Sequence, residues 1–154
     1  MTEGQTKSVG AVEHEVTLLL RLVESARKRA EMLDRSAYLL LGELQARGPL
    51  GIAALAGIFQ VDLSTASRQT AALEAKGLVQ RLADPDDGRV SLLQITPLGQ
   101  TELQTTRDAR HALFDEILEG WSADERHRFG EYLARFNQAI VRRRLRANGS
   151  RALK

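Results

Sequence analysis

The 154-residue chain is 43% apolar and 27% charged with a net charge of +2, which is the balance of one soluble globular domain and excludes a globally basic or disordered protein. No apolar run approaches the ~18 residues that cross a bilayer, and the first residues, Met1 to Lys7, include Glu3 and no signal-like apolar stretch, so a cytoplasmic protein with no membrane partner is expected. Cysteine is absent, which excludes disulfides, cysteine zinc sites and thiol sensing, and His14, His111 and His127 lack metal-ligand spacing, so no metal or cofactor is expected.

Residues 1–10 are polar, contain Gly4 and Gly10, and are expected to be disordered. A first helix follows from about Ala11 to Met32. Val12, Val16, Leu19 and Val23 form one stripe, and Leu18, Leu20 and Leu22 widen it, as in a helix that packs against two partners. Asp34 is the expected N-cap of a second helix, Arg35 to Arg47, with Ala37, Leu40, Leu41 and Leu44 inward and Gly48-Pro49 as its stop. Pro49-Leu50-Gly51 has room for a single extended pairing. Ile52 to Phe59 reads as a two-turn helix, Gln60-Val61-Asp62 as a tight connection, and Leu63 to Lys76 as a third helix capped by Asp62 and ended by Gly77. Its inward stripe is Leu63, Ala66, Thr70 and Leu73.

Two strand-like runs follow, Leu78 to Leu82 and Arg89 to Ile95, joined by the dense turn signal Asp84-Pro85-Asp86-Asp87-Gly88. The acids do not fit a calcium loop of the EF-hand type: counted from Asp84, the glycine and the final glutamate fall out of place. Thr96 and Pro97 start a long helix, as N-cap and first helical residue, that runs to about Glu119 and stops at Gly120. Ser122-Ala123-Asp124-Glu125 is a capping box for a last helix with Phe129, Leu133, Phe136 and Ile140 in one stripe. Arg142 to Lys154 holds five Arg, one Lys and no acid, which suits either a frayed solvated tail or phosphate contacts.

The fold class is therefore mainly α with a small β-hairpin. Ile52 to Lys76 has helix-turn-helix proportions, and a hairpin placed directly after it reads as a wing. In such a unit the second helix enters the major groove, and its outward residues near the N-terminal end are Ser64, Thr65, Ser67, Arg68 and Gln69. Ser and Thr reach phosphates or bases, Arg grips guanine bidentately, and Gln suits adenine. Arg89 stands just past the wing tip, where an Arg can enter a narrow minor groove, with Asp87 or Asp84 orienting it. Charge does not support this reading: Val61 to Pro97 carries four basic and five acidic residues. A winged helix used for protein–protein contact without DNA is the alternative. No nucleophile–base pair or phosphate loop is visible, so no enzyme is expected.

The chain resembles the MarR family of winged helix-turn-helix regulators. The residues that carry the likeness are Leu63-Ser64-Thr65-Ala66-Ser67-Arg68, Leu73-Glu74-Ala75-Lys76-Gly77-Leu78-Val79, Asp84-Pro85-Asp86-Asp87-Gly88-Arg89 and Ile95-Thr96-Pro97-Leu98-Gly99. The wing pattern Asp87-x-Arg89 followed by Thr96-Pro97-x-Gly99 is the specific part. The resemblance implies a homodimer joined through the first and last two helices, a palindromic operator in double-stranded DNA, repression, and minor-groove contact by Arg89 supported by Asp87. It also implies release by a small phenolic or apolar effector near the dimer arm, for which Leu41 and Leu113 are the candidate lining residues. Many members carry a second Arg where Gly88 stands here. The expected organisation is a disordered segment 1–10, helical dimerisation regions 11–33 and 97–145, a winged helix-turn-helix domain 34–96 and a basic tail 146–154.

Overall fold

The computed structural model describes residues 3–26, 33–85 and 91–151, with side chains described over 8–22, 33–85 and 91–146. Six helices and three strands follow in the order α1 (Glu3–Ala26), α2 (Arg35–Arg47), β1 (Leu50–Gly51), α3 (Ile52–Phe59), α4 (Leu63–Ala75), β2 (Val79–Ala83), β3 (Ser91–Ile95), α5 (Pro97–Ile117) and α6 (Ala123–Arg151). They form two compact units, Met1–Thr106 and Arg107–Lys154.

Local chemistry explains most of the boundaries. The Asp34 carboxylate accepts the Ala37 N–H at 3.0 Å and starts α2. Gly48, at φ 82°, ends that helix in a conformation a side chain resists. Asp62 accepts the Thr65 N–H at 2.7 Å and starts α4, and Gly77, at φ 70°, follows its end. Thr96 accepts the Gly99 N–H at 3.0 Å while its own hydroxyl donates to the Gly77 carbonyl at 2.7 Å, so one side chain both caps α5 and ties it to the end of α4.

The core of the first unit joins every element between α2 and the start of α5. Ala37, Leu40, Leu41 and Leu44 of α2 meet Leu55 of α3, Leu73 of α4, the strand residues Val79, Leu93 and Ile95, and Leu103 of α5. Burial of this kind contributes about 1.5–3 kcal/mol for each large apolar side chain. The sheet is antiparallel in the order β1-β3-β2, with Leu50 opposite Leu93 and Val79 opposite Ile95. The adjacent pair Leu92-Leu93 breaks the alternation, and the register accounts for it: Leu93 is fully buried, whereas Leu92 points the other way, opposite Leu82. Among the described residues two buried hydroxyls find partners, Thr70 by donating to the nearby Ser67 carbonyl at 3.0 Å and Thr106 by accepting the distant Leu33 N–H at 3.4 Å.

The second unit is held by its own connections. The Ser122–Glu125 capping box forms in both directions: Glu125 accepts from the Ser122 N–H at 2.8 Å, and Ser122 Oγ accepts the Glu125 N–H at 3.3 Å. The Ser122 hydroxyl and N–H hold the Glu125 carboxyl below its ordinary range. Arg126 braces the turn by donating to Asp115 at 2.8 Å and to the Leu118 carbonyl at 3.0 Å. The Trp121 and Phe129 rings pack at 5.4 Å with a 60° tilt.

Three expectations need correction. Helix α1 begins at Glu3, so the segment expected to be disordered is helical over most of its length, Gly4 and Gly10 included. The far end expected for that helix, near Met32, lies outside the described residues. Leu63 is 58% exposed rather than inward, because it is the first residue of α4 and the helix meets the core only one turn later, at Ala66. The segment 146–151, expected as a tail, continues α6 as helix.

Candidate nucleic-acid interface

Helix α4 divides cleanly by period. Ala66, Thr70 and Leu73 are buried, and Ser64, Ser67, Arg68 and Ala71 lie on the exposed side. Of the expected α4 residues, Ser64, Thr65, Ser67 and Arg68 are accessible or half-accessible, and three of them form one chain of contacts. The Asp62 carboxylate accepts the Ser64 hydroxyl at 2.5 Å and the Thr65 hydroxyl at 2.7 Å. Thr65 Oγ1 in turn accepts from the Arg68 guanidinium at 3.3 Å. These hydroxyl donors, first Ser64 and then Thr65, hold the Asp62 carboxyl far below the usual carboxylate range. The negative charge at the head of α4 is therefore engaged rather than loose. Among the described residues Arg68 has no acidic partner, so four of its five N–H donors stay available.

Gln69 behaves differently from its expected role. Its side-chain amide donates to Ser36 Oγ at 3.1 Å, across 33 residues of sequence, and it is only partly accessible. It faces α2 rather than the exposed side. No sequence signal foretold that contact, because it depends on how α2 crosses α4. An open groove of about 510 Å³ runs along this flank, between the start of α2 and the side of α4.

The wing base is braced. Glu74 near the end of α4 takes two hydrogen bonds from Arg81 Nε of β2, at 2.9 and 3.1 Å, and Gln80 donates to Gln94 across the strands at 3.0 Å. Of the five acids in the reading head, Asp62 and Glu74 are thus committed to internal contacts. Asp87 and Arg89, the expected wing residues, lie outside the described residues. Leu41 is fully buried in the core of the first unit, and Leu113 is 41% exposed on α5 in the second unit. Among the described residues no group of three or more His, Asp or Glu is placed to hold a metal ion, and no helix is long and apolar enough to cross a membrane.

A short helix, a tight turn, a capped second helix and an antiparallel wing on one core constitute a winged helix-turn-helix. The sequence profile of the MarR family matches residues 33–91, from just ahead of α2 to the first residue of β3. The chain is also 43% identical over 136 residues to the uncharacterized HTH-type transcriptional regulator YxaD of Bacillus subtilis (strain 168), covering 86% of this chain and 95% of that protein. The chain belongs to the MarR family. Two solved structures share the fold. A MarR family protein from Bacillus stearothermophilus superposes with a TM-score of 0.69 at 18% identity, over 92% of this chain and 99% of that one. The PcaV transcriptional regulator of Streptomyces coelicolor, solved with its natural ligand, does so with a TM-score of 0.64 at 25% identity, over 79% and 91%. As a MarR-family protein the chain is a transcription regulator and not an enzyme.

Proposed function

We propose that this MarR-family regulator binds a palindromic operator in double-stranded DNA as a homodimer and represses transcription. One observation carries the reading: Arg68 stands on the exposed face of a capped helix, anchored once through Thr65 and with its remaining donors uncommitted. A guanidinium presented this way suits the O6/N7 edge of guanine. Ser64, Thr65 and Ser67 sit beside it for phosphate or base contacts, and Arg89, supported by Asp87, serves the minor groove from the wing. The homodimer is supported by apolar side chains that a single chain leaves uncovered, among them Val9, Val12, Leu19 and Leu20 of α1 and Phe129, Phe136 and Ile140 of α6. Two reading heads on a two-fold axis would meet half-sites about 34 Å apart. Release by a small aromatic or apolar effector is the proposed control, with no lining residue assigned, since Leu41 is sealed in the core of the first unit. It is supported by PcaV, a protein of similar structure solved with its natural ligand.

The test is a gel-shift titration on a duplex that the protein itself selects from a random library. Arg68→Ala and Arg89→Ala are each expected to weaken binding by about 5- to 150-fold, the equivalent of about 1–3 kcal/mol, with the dimer intact by size-exclusion chromatography. Wild-type affinity in both variants would refute the assigned roles. Binding that does not weaken as salt is raised would refute DNA binding itself.

A further inference from the structure

The groove beside α4 starts at the proposed base readers Thr65 and Arg68 and runs on past them toward Lys76. It is walled on one side by Ser36 at the start of α2, and on the other by Thr65, Arg68, Gln69, Ala72 and Lys76 along one flank of α4. Arg68 and Ala72 of α4 and Lys76 at its C-cap recur every four residues, an inclined row with a cation at each end and a small residue between them. Asp34 is the acid that also faces the groove; its carboxylate accepts the Ala37 N–H at 3.0 Å, which leaves its negative charge for Arg68 and Lys76 to outweigh. The end of α2 is thereby capped, and the attraction for an anion falls to the side chains.

Their hydrogen bonding is directional. Ser36 Oγ accepts from Gln69, which leaves the Ser36 hydroxyl proton to donate. Lys76 has no acidic partner among the described residues and is exposed. A helix about 10–12 Å across fills a major groove about 12 Å wide. When the exposed side of α4 faces the base edges, its flanks face the two sugar–phosphate backbones. The row ending in Lys76, with Ser36 opposite, is such a flank.

We infer that the groove between α2 and α4 is a seat for the DNA backbone, in which Lys76 and the Ser36 hydroxyl contact phosphate and Gln69 positions Ser36. The inference rests on the DNA-binding reading above and moves Gln69 from a base reader to a positioning residue. It gives the slightly acidic reading head a sequence-independent source of affinity.

The experiment measures the slope of log affinity against log salt for wild type, Lys76→Ala, Lys76→Arg and Ser36→Asp, on the selected duplex and on a scrambled one. One lost phosphate contact lowers the slope by about 0.9 and, at about 0.1 M salt, affinity by roughly eightfold per protomer. Lys76→Ala is expected to show both effects equally on the two duplexes, leaving their affinity ratio unchanged. Lys76→Arg is expected to restore the slope, and Ser36→Asp to weaken binding to both duplexes by placing an anion beside the phosphate. Thermal melts of the variants should match wild type, since Lys76 is exposed and Ser36 half-exposed. A wild-type slope in Lys76→Ala overturns the inference while DNA binding stands. A change confined to the selected duplex overturns it too, because that would mark base readout. Failure of the wild type to bind either duplex removes the DNA reading, and the inference with it.

Discussion

Replacing Gly99 with alanine tests the joint between the wing and α5. A Cβ at this position would stand 2.1 Å from the Leu78 carbonyl oxygen, 2.9 Å from Ile95 Cγ1 and 3.0 Å from the Leu78 carbonyl carbon. Two of these three atoms are backbone, and the third belongs to a buried strand residue, so no flexible side chain can swing aside. The oxygen must retreat by at least about 1 Å to reach ordinary contact, in an interior packed as densely as an organic crystal. That same oxygen accepts the Thr96 N–H at 3.1 Å. Overpacking a close site costs about 1–3 kcal/mol, and a weakened hydrogen bond adds about 1 kcal/mol. A loss of about 3 kcal/mol follows, or a fall of roughly 10 °C in Tm for a chain of this size. Gly42→Ala is the control. It lies inside α2 with nothing within 4 Å of its would-be Cβ, so it is expected to raise stability by about 0.5–1 kcal/mol through helix propensity. Thermal melts followed by circular dichroism, with urea titrations for ΔG, measure both. A Gly99→Ala protein melting within about 2 °C of wild type would refute the steric reasoning.

Leu41→Ala empties a fully buried position in the core of the first unit and is expected to cost about 2–5 kcal/mol, seen as a lower urea midpoint at unchanged slope. Asp62 and Glu125 both have folded-state carboxyls held below their ordinary values, so the stability they supply is complete above the unfolded values and is lost as pH falls below about 4. Asp62→Asn should therefore flatten the acid limb of a stability–pH curve and leave the region between about pH 5 and 8 level. An unchanged acid limb would show that Asp62 is not held as described. The arginine and lysine variants complete the set: Arg68→Ala should alter discrimination between duplexes, whereas Lys76→Ala should lower the salt slope and the affinity and leave discrimination unchanged.

Local rules in the sequence determined most of the scaffold. The N-caps Asp34, Asp62 and Thr96, the stops at Gly48 and Gly77, and the Ser122–Glu125 box each depend on residues within a few positions of one another, and each forms as expected. The inward faces of α2 and α3 follow from a 3.6-residue period for the same reason. Periodicity misplaced Leu63, since a period does not say where along a helix its neighbours begin. Gln69 shows the larger gap: by sequence it is an outward polar residue, and only the packing of α2 beside α4 turns it toward Ser36. The same packing makes the groove that ends at Lys76 and gives Gly99 its contact with Leu78. The charge balance of the reading head carries the same lesson. A count of four basic and five acidic residues argues against DNA; the Asp62 contacts to Ser64 and Thr65 are local, whereas only tertiary structure pairs Glu74 with Arg81. Sequence determines which charges exist, but only the fold decides which of them pair within the chain and which remain to meet a partner, because ion pairing depends on neighbours in space.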